Sequence, residues 1–567
     1  MPAVLKKNKW YFCTVTIYWF PLKCAMQYKI LIFFAALMFA REITSAQVFT
    51  SSNLPIIIIS TNNVPIPDNP KIPGTMKIID NGPGQINHVS DPGNVYNGNI
   101  GIEIRGSYSA SLPQKPYAIE TRDIAQNDSA VSLFGFPEES DWVLLANYND
   151  KVFMRNVLAF KLFNEMGHYA SRTRFAEVTV NGVYQGIYIF GEKIKRDDGR
   201  VNVDKLLPDE NSGEPLTGGY IFKIDYWDNT NSWQSPYHPI GHSNFNIHFV
   251  YYYPKPEEIT IQQHDYLKSY VTTFESALYN PIIHDTLAGY YPYINVSSFI
   301  DYFLVNEVAR NNDGFKKSFY FSKDRDGIDK RISCGPVWDF DWAWKNIDEC
   351  SIFANTDGSG WAYKVNDCYP DVNSPGWHIR LLQDTIFANE LRCRFELFRQ
   401  NILNSDTLLN WVDSNATYLW QAQQRHYTRW PILGLNVGTP VVGFIPTTFQ
   451  GEIDGFKFWI KQRLGWLDAN IPGHCYNILN TEQISKKPQI VAFPNPASDR
   501  IYIELPAKNE KAVFQLYSLA GNLIRVPFAF DGNLFTLDVQ QLPAGMYYAR
   551  IIGSGNEISN IKLLIAR

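Results

Sequence analysis

Apolar and polar residues alternate in short runs through the first part of the chain, with Pro, Gly and Asn between the runs. Within residues 52–130 the runs are LPIIIIST, TMKIID, IGIEIRG and PYAIETRD, and this pattern predicts β-strands. Two further runs surround Asn181-Gly182, the dipeptide that most strongly favours a tight hairpin turn. The segment GGYIFKIDYW, residues 218–227, predicts another strand. The N-terminal part is therefore expected to be rich in sheet.

A helical period replaces this alternation further along. Residues 150–167 carry apolar side chains three and four positions apart and end at Gly167, which predicts an amphipathic helix with a glycine cap. Residues 257–310 and 375–470 are predicted to be mostly helical. Strand character returns between them, in SFYFSK and in the segment that leads into DFDWAW. Because strands come first and helices second, we predict an α+β fold.

The C-terminal segment has a different character. A polar stretch at 480–489 precedes it, and from residue 490 every run alternates and is bounded by turn residues. This pattern predicts a small antiparallel, immunoglobulin-like sandwich. The predicted organisation is thus a body at 47–479, a linker at 480–489 and an all-β domain at 490–567.

The N-terminus has the features of a secretory signal. Lys29 precedes an apolar run of about eleven residues, and small residues follow it, ending at Ser45-Ala46. We expect residues 1–46 to be a signal peptide, with Met26 as a possible true start. Because a spanning helix needs roughly 20 apolar residues, a membrane anchor is the less favoured interpretation.

Charge and cysteine content narrow the possible functions. The formal net charge is −5 without a long Lys/Arg block, so we expect no nucleic-acid partner. The cysteines beyond residue 46 are odd in number and contain no CxxC pair, which predicts neither a disulfide framework nor a zinc site. Cys350 and Cys368 flank a Gly/Asp/Asn-rich loop and are candidates for a disulfide.

The strongest candidate for chemistry is GPVWDFDWAWKN, residues 335–346. If this segment is a strand, Asp339 and Asp341 share one face and the neighbouring aromatic residues the other. Two carboxylates this close repel each other unless a cation lies between them, and hard oxygen ligands suit Mg²⁺ or Mn²⁺. A pair of solvated acids is the alternative.

Asp313 stands at the junction between a predicted helix and a predicted strand, 28 residues before Asp341. The intervening residues are expected to form a hairpin. A hairpin brings its two ends together, so Asp313 is a candidate third carboxylate. A role as a cap or turn residue is the alternative.

These segments resemble the CotH kinase family, whose fold is a reduced and atypical protein kinase. The resemblance runs from about residue 95 to 470 and includes RGSYSASLPQKPYAIETRD, DWVLLANYNDKVFMRNVLAFKL, EVTVNGVYQGIYIFGEKI, NNDGFKKSFYF and GPVWDFDWAWKN. It implies that Asp313 is the catalytic acid and that Asp339 and Asp341 hold Mg²⁺ or Mn²⁺ with ATP. Ser318 stands where a kinase carries a metal-holding asparagine and offers one weaker oxygen ligand.

The resemblance also implies contacts with phosphate. RGSYSASLPQK resembles the family's phosphate-covering turn followed by lysine, which makes Lys115 a candidate; a surface lysine is the alternative. Many family members have paired lysines here, whereas Gln114 precedes Lys115 in this chain. Arg155 and Lys223 are weaker candidates, with ion-pair roles as the alternative.

The C-terminal domain carries FPNPA at 493–497, a turn at Gly521, LPAGMY at 542–547 and a short basic ending. In these features it resembles the type A C-terminal sorting domain of type IX secretion. The resemblance implies that residues 490–567 engage the type IX secretion machinery and that the protein is secreted or carried to the outer cell surface. It also implies release or attachment to surface lipopolysaccharide.

Two functions follow as expectations. The first is a kinase-like protein that transfers phosphate from ATP, with Mg²⁺, to Ser/Thr of an unidentified surface protein. The alternative is a non-catalytic adhesin or glycan-binding protein on a degenerate kinase scaffold. The sequence has no GxSxG or HExxH motif that would support a hydrolase.

Overall fold

The computed structural model describes residues 49–285, 288–475, 491–505, 512–518, 523–552 and 558–566. The predicted signal peptide and linker lie outside these residues. The chain divides into two compact units. The first contains the described residues up to Ala146, together with Arg174–Phe190 and Tyr418–Pro431. The second contains Asn147–Thr173, Gly191–Thr417 and the described residues from Ile432 onward.

Nine strands occupy the N-terminal part of the described chain: β1 (Ser51–Ser52), β2 (Ile56–Ser60), β3 (Ile72–Ile79), β4 (Asn87–His88), β5 (Tyr96–Ile104), β6 (Tyr117–Arg122), β7 (Asp141–Ala146), β8 (Thr173–Val180) and β9 (Val183–Glu192). Seven of them form a closed sheet in the order β2-β3-β5-β6-β7-β9-β8, and β1 pairs with β4. The pairing of β2 with β8 is parallel, and the pairings of β2 with β3, β3 with β5, β5 with β6 and β6 with β7 are antiparallel. Helix α1 (Tyr108–Ser111) lies between β5 and β6.

The alternating pattern of the sequence places one apolar face inside this closed sheet. Ile57 and Ile59 of β2 and Ile100 and Ile102 of β5 are fully buried in one core cluster. The predicted hairpin turn is confirmed between β8 and β9, because Asn181 and Gly182 both have positive φ, at 48° and 77°. Both central residues of a type I′ turn need that conformation.

The second unit contains a five-stranded antiparallel sheet in the order β11-β12-β10-β13-β14. Its strands are β10 (Tyr220–Ile224), β11 (Ser232–Gln234), β12 (His248–Tyr253), β13 (Phe319–Lys323) and β14 (Ile332–Cys334). The remaining α-helices of the body are α2 (Arg155–Glu165), α3 (Ile261–Leu278), α4 (Val296–Ala309), α5 (Asp326–Asp329), α6 (Ser351–Ala354), α7 (Trp377–Leu381), α8 (Thr385–Arg399), α9 (Ser405–Arg429) and α10 (Phe449–Asn470). Two 3₁₀ helices cover Glu214–Thr217 and Ala362–Cys368. The predicted α+β order is confirmed.

Helix α2 begins later than the sequence pattern predicts. Residues 150–154 form a turn in which Phe153 has a φ of 64°, and the Asp150 carboxylate accepts the backbone N–H groups of Val152 and Arg155. An aspartate before a helix competes for backbone donors in this way. The amphipathic period therefore continues through a segment that is not helical. None of the helices within the described residues is long and apolar enough to cross a bilayer.

The C-terminal domain is all β, as predicted. Strands β15 (Val491–Phe493), β16 (Arg500–Glu504), β19 (Phe528–Phe530) and β20 (Leu534–Asp538) form one sheet. Strands β17 (Val513–Ser518), β18 (Leu523–Ile524), β21 (Gly545–Ile552) and β22 (Ile558–Ile565) form another. Their alternate residues make a core that includes Ile501, Ile503, Leu537, Ala549 and Leu563.

Two disulfides are present among the described residues. The candidate pair Cys350–Cys368 is bonded. Cys393 and Cys475 form a second bridge whose Cα atoms are 4.6 Å apart although 82 positions separate them in sequence. The expectation of no disulfide framework is thus wrong in part. The spacing between neighbouring cysteines gives no information about a pair as far apart in sequence as Cys393 and Cys475. Cys334 is a buried free thiol.

A buried ion pair joins α4 to α10. Glu307 and Arg463 have fully buried side chains, and Arg463 Nη2 lies 2.8 Å from Glu307 Oε2. Glu307 also accepts the backbone N–H groups of Ala362 and Tyr363, and Arg463 donates to the carbonyl groups of Gly358 and Gly360. Each charge therefore has several partners, as a buried charge requires.

Replacing Glu307 with Gln leaves the Arg463 guanidinium buried without its counter-charge. We expect Glu307→Gln to lower the free energy of unfolding of the body by about 3–5 kcal/mol at pH 8. Urea unfolding followed by tryptophan fluorescence measures this change. The control Glu396→Gln removes the exposed i,i+4 partner of Arg392 and is expected to cost less than about 1 kcal/mol. Equal losses in the two variants would contradict a stabilising role for the buried pair.

Candidate functional site

The end of α4 places Asp313. Arg310, the residue after the helix, has a φ of 43°, and its guanidinium donates to the carbonyl groups of Phe353 and Ser359. Asn311 then donates its side-chain amide to the Asp339 carbonyl (3.1 Å) and accepts the backbone N–H of Asp313 (3.2 Å). The turn that carries Asp313 is therefore tied both to the helix end and to the segment at 335–346.

Asp313 shares a lysine with a second acid. Its side chain is 24% exposed, and Lys316 Nζ lies 3.5 Å from Asp313 Oδ1 and 2.6 Å from Glu349 Oε1. Burial raises the pKa of Asp313 to about 6 although Lys316 and Lys317 oppose the increase, and the negative charges of Glu349 and Asp341 add to it. Asp341 therefore lies close enough to act on Asp313 electrostatically.

The segment at 335–346 is irregular, so the prediction of a strand there is wrong. Asp339 and Trp344 have positive φ values of 56° and 58°, and a residue in the left-handed region breaks the two-residue alternation. Trp338 and Phe340 are buried as expected, with Trp338 stacked on Phe160 at 5.4 Å between ring centroids. The two carboxylates are held by side-chain contacts and not by a shared strand face.

Neutral hydrogen-bond donors hold the two carboxylates. The Ser318 hydroxyl donates to Asp339 Oδ2 at 2.7 Å, and the Asn149 side-chain amide donates to Asp341 Oδ2. Burial raises the pKa of Asp341, while Asn149 and the positive charge of Lys345 oppose the increase. Ser318, at a φ of 47°, is thus beside Asp339, as expected if both contribute to one site.

Lys345 extends the site from Asp341. Its ammonium group donates to the Asn149 carbonyl (3.1 Å) and to the Thr439 hydroxyl (3.2 Å). Burial lowers the pKa of Lys345 to about 7, and the charge of Arg155 acts in the same direction. The pKa of Lys345 therefore lies near neutral pH.

Arg155 forms an ion pair, which is the alternative role predicted for it from the sequence. Its guanidinium donates to the Asp150 carboxylate, and both side chains are buried. Arg155 and Lys345 line one cavity of about 140 Å³, together with Asn149, Lys151 and Glu452 and an apolar wall that includes Phe456. Three buried basic residues line this cavity, Lys151, Arg155 and Lys345, and of these only Arg155 was a candidate from the sequence.

The two other lysine candidates each have a partner close to them in sequence. Lys115 belongs to the first unit, where its ammonium group donates to the Ala110 carbonyl at 2.8 Å. Gln114 is buried and donates to the carbonyl groups of Gln185 and Ile187. Lys223 forms an ion pair with Asp225 at 2.6 Å, which is the alternative given for it. The remaining candidates all belong to the second unit.

Two segments of the chain match known families. Residues 102–467, more than half of the chain, match the family described as CotH kinase protein. The chain belongs to the CotH kinase family. Residues 491–566 match the secretion system C-terminal sorting domain. No curated protein matches the chain.

The oxygen ligands of this CotH family chain do not form a closed metal cage. Within the described ranges, no group of three or more His, Cys, Asp or Glu side chains is placed to hold a metal ion. Asp339, Asp341 and the Ser318 hydroxyl nevertheless supply only oxygen ligands. This set fits Mg²⁺, which is commonly bound by one or two carboxylates with phosphate and water oxygens completing its shell.

Sequence reasoning missed Glu349, Lys316, Asn149 and Lys345. Lys316 and Asn149 lie inside motifs that carry the family resemblance, so their types were visible but their partners were not. Glu349 follows an irregular segment, and nothing in its local pattern connects it with Asn312, whose amide donates to it at 2.9 Å. The ion pair of Lys316 with Glu349 and the hydrogen bond of Asn149 with Asp341 join residues 33 and 192 positions apart.

Replacing Asp313 with Asn tests its raised pKa. An unfolded Asp releases its proton near the ordinary value of 3.8, below the folded pKa of about 6, so the wild-type chain loses stability as pH rises between these values. We expect Asp313→Asn to be more stable than the wild type at pH 7.5, by up to about 3 kcal/mol. The difference should shrink towards pH 4. Urea unfolding across this pH range measures it.

The control for this prediction is Asp371→Asn, for which the expected change in stability has the opposite sign. Partial burial raises the pKa of Asp371, but hydrogen bonds from Lys317 and Tyr226 outweigh burial and leave its pKa below the ordinary value. We expect Asp371→Asn to be less stable than the wild type at neutral pH. A wild-type advantage over Asp313→Asn at pH 7.5 would contradict the assignment of a raised pKa.

Proposed function

We propose that this chain is a secreted kinase-like phosphotransferase that moves a phosphoryl group from ATP to Ser/Thr of a surface protein. The observation that carries the proposal is the position of Asp313: it is a partly exposed carboxylate that shares Lys316 with Glu349, and Asn311 ties its turn to the backbone of Asp339. A catalytic carboxylate beside a set of oxygen ligands is what phosphoryl transfer to a hydroxyl needs.

Asp313 is proposed to accept the proton of the attacking hydroxyl. A general base is most effective when its pKa lies near the working pH, and a pKa of about 6 keeps most Asp313 ionised at neutral pH while strengthening it as a base. Lys316 lies 3.5 Å away and is held by Glu349, so it stabilises the carboxylate without a short ion pair that would block it.

Asp339, Asp341 and Ser318 are proposed to hold Mg²⁺ or Mn²⁺ with ATP. The ion would neutralise charge on the phosphate oxygens. Asn149 orients Asp341, and Ser318 orients Asp339. Arg155 is a proposed phosphate contact, and it would have to share its guanidinium between phosphate and Asp150. For Lys115, contact with phosphate stays a prediction from the family resemblance.

The alternative function is a non-catalytic adhesin or glycan-binding protein. Two observations favour it: serine at 318 gives a weaker metal ligand than asparagine, and the described residues contain no group of three metal-ligating side chains. Nucleotide binding and turnover distinguish the two functions.

The sorting domain marks the chain for export, and this determines where it acts. We propose that the type IX machinery carries the body across the outer membrane and that the body is then released or attached to surface lipopolysaccharide. The phosphate acceptor would in that case be a protein of the outer surface.

The roles of Asp341 and Asp313 can be separated by experiment. We expect titration calorimetry to detect ATP binding that requires Mg²⁺, and Asp341→Asn to weaken it by about tenfold or more, because a metal ligand is lost. Asp313→Asn should keep ATP affinity but lower phosphate transfer by about 10²–10⁴-fold, as for the loss of a general base. Mass spectrometry of phosphorylated Ser and Thr measures transfer.

A surface acid serves as the matched control. Asp329→Asn removes the partly buried partner of the exposed Arg331 and is expected to change neither ATP affinity nor transfer. The kinase proposal would be wrong if the wild-type chain bound no ATP in Mg²⁺, or if Asp341→Asn bound it as tightly as the wild type.

Removing residues 491–567 tests export separately from catalysis. We expect the truncated chain to stay inside the cell envelope, because its sorting signal is gone, and the full-length chain to reach the outer surface or the medium. Fractionation with immunoblotting measures the distribution. Full-length Asp341→Asn is the control and should be exported normally; export of the truncated chain would contradict the assignment.

A further inference from the structure

Three large aromatic side chains are exposed on two loops of the second unit. Tyr226 and Trp227, which follow β10, are 53% and 44% exposed, and Tyr369 is 75% exposed. Large exposed apolar groups that cluster usually mark an interaction site. We call Tyr226, Trp227 and Tyr369 the aromatic platform.

The rings of the platform are held in place before any ligand binds. The Trp227 indole lies parallel to the His248 imidazole, with an interplanar angle of 2° and 3.3 Å between ring centroids. Burial lowers the pKa of His248, so this stack joins two neutral rings near pH 7. The following Asp228 side chain accepts the backbone N–H groups of Thr230 and Asn231, which fixes the turn.

Polar contacts connect Tyr226 to the loop of Tyr369. The Tyr226 hydroxyl donates to Asp371 Oδ2 at 2.9 Å, and Lys317 lies 2.7 Å from the same carboxylate oxygen. Lys317 also donates to the Tyr226 hydroxyl and lies 4.5 Å above its ring. The two loops are therefore joined through Asp371.

The loop of Tyr369 is fixed from its other side. Its ring makes edge contacts with His242 and Phe245, and His242 pairs with Asp367 at 2.9 Å. The disulfide of the preceding residue, Cys368, closes the loop on Cys350. A preorganised surface of this kind loses little conformational entropy when a ligand binds.

We propose that the aromatic platform binds the sugar rings of a neutral glycan chain. The electron-rich face of an aromatic ring attracts weakly positive C–H groups, which pyranose rings present on their flat faces. Asp367 and Asp371 stand beside the rings and can accept hydrogen bonds from sugar hydroxyl groups, as carboxylates do. The proposal stands independently of phosphate transfer.

The paired charges beside the platform disfavour a nucleic acid, and the exposure of its rings disfavours a peptide. Single-stranded nucleic acid needs a positively charged groove beside its stacking rings, whereas Lys317 and His242 are each paired with a carboxylate here. A peptide ligand gains most of its affinity from anchors buried in pockets. The platform instead consists of exposed rings on two loops, with the carboxylates of Asp367 and Asp371 on the loop of Tyr369.

Titration calorimetry on the full-length chain tests the proposal with three soluble hexasaccharides, built from glucose, mannose and xylose. We expect at least one to bind with a Kd below about 1 mM. Trp227→Ala and Tyr369→Ala should each weaken that binding by about tenfold, because a stacking ring is lost. Tyr369→Phe keeps the ring and should keep the affinity.

The matched control is Phe458→Ala, which removes another exposed aromatic ring, on α10, at 62% exposure. It should leave glycan affinity unchanged, and MgATP affinity should be the same in all platform variants. Failure of all three hexasaccharides to bind would overturn the proposal. Equal binding by the wild type and both alanine variants would also overturn it, as would binding of a peptide array, but not of glycans, that depends on Trp227.

Discussion

The ionic contact between α4 and α10 is the constraint on which the site depends. Glu307 and Arg463 are removed from water together, and their remaining hydrogen-bonding atoms are satisfied by backbone groups of neighbouring loops. Such a pair stabilises the fold little more than apolar side chains of similar size would, but removing one partner is strongly destabilising because the other charge stays buried. It therefore fixes the C-terminal turn of α4, three residues before Arg310 and six before Asp313.

From that fixed point the site is assembled by polar contacts between loops. Asn311 links the turn of Asp313 to the backbone of Asp339, Ser318 links the start of β13 to the Asp339 carboxylate, and Asn149 links the loop before α2 to Asp341. Each of these three linking side chains is neutral. The same burial that raises the pKa of Asp313 lowers that of Lys345, so both groups approach neutral pH from opposite sides.

Much of the fold follows from the sequence, because local periodicity determines its elements. The strands of the closed sheet, the Asn181-Gly182 turn and the strands of the C-terminal sandwich are each encoded within a few adjacent residues, whereas closure through the parallel pairing of β2 with β8 is not. Local periodicity fails in the segment around Asp339. Its alternating acids and aromatic residues predict a strand, but Asp339 has a left-handed backbone conformation that interrupts the alternation. Partners such as Glu349 for Lys316, or Cys475 for Cys393, depend on tertiary contacts that no local pattern contains.

The edges of the five-stranded sheet are short, and this matters for a chain that carries a sorting domain for export. Its outermost strands, β11 and β14, are three residues long each, and the seven-stranded sheet closes on itself. The unpaired backbone donors and acceptors at the two edges of this five-stranded sheet thus extend over only three residues each, which disfavours strand-to-strand aggregation there. Short edges of this kind limit backbone pairing between neighbouring copies of a chain that carries a sorting domain for export.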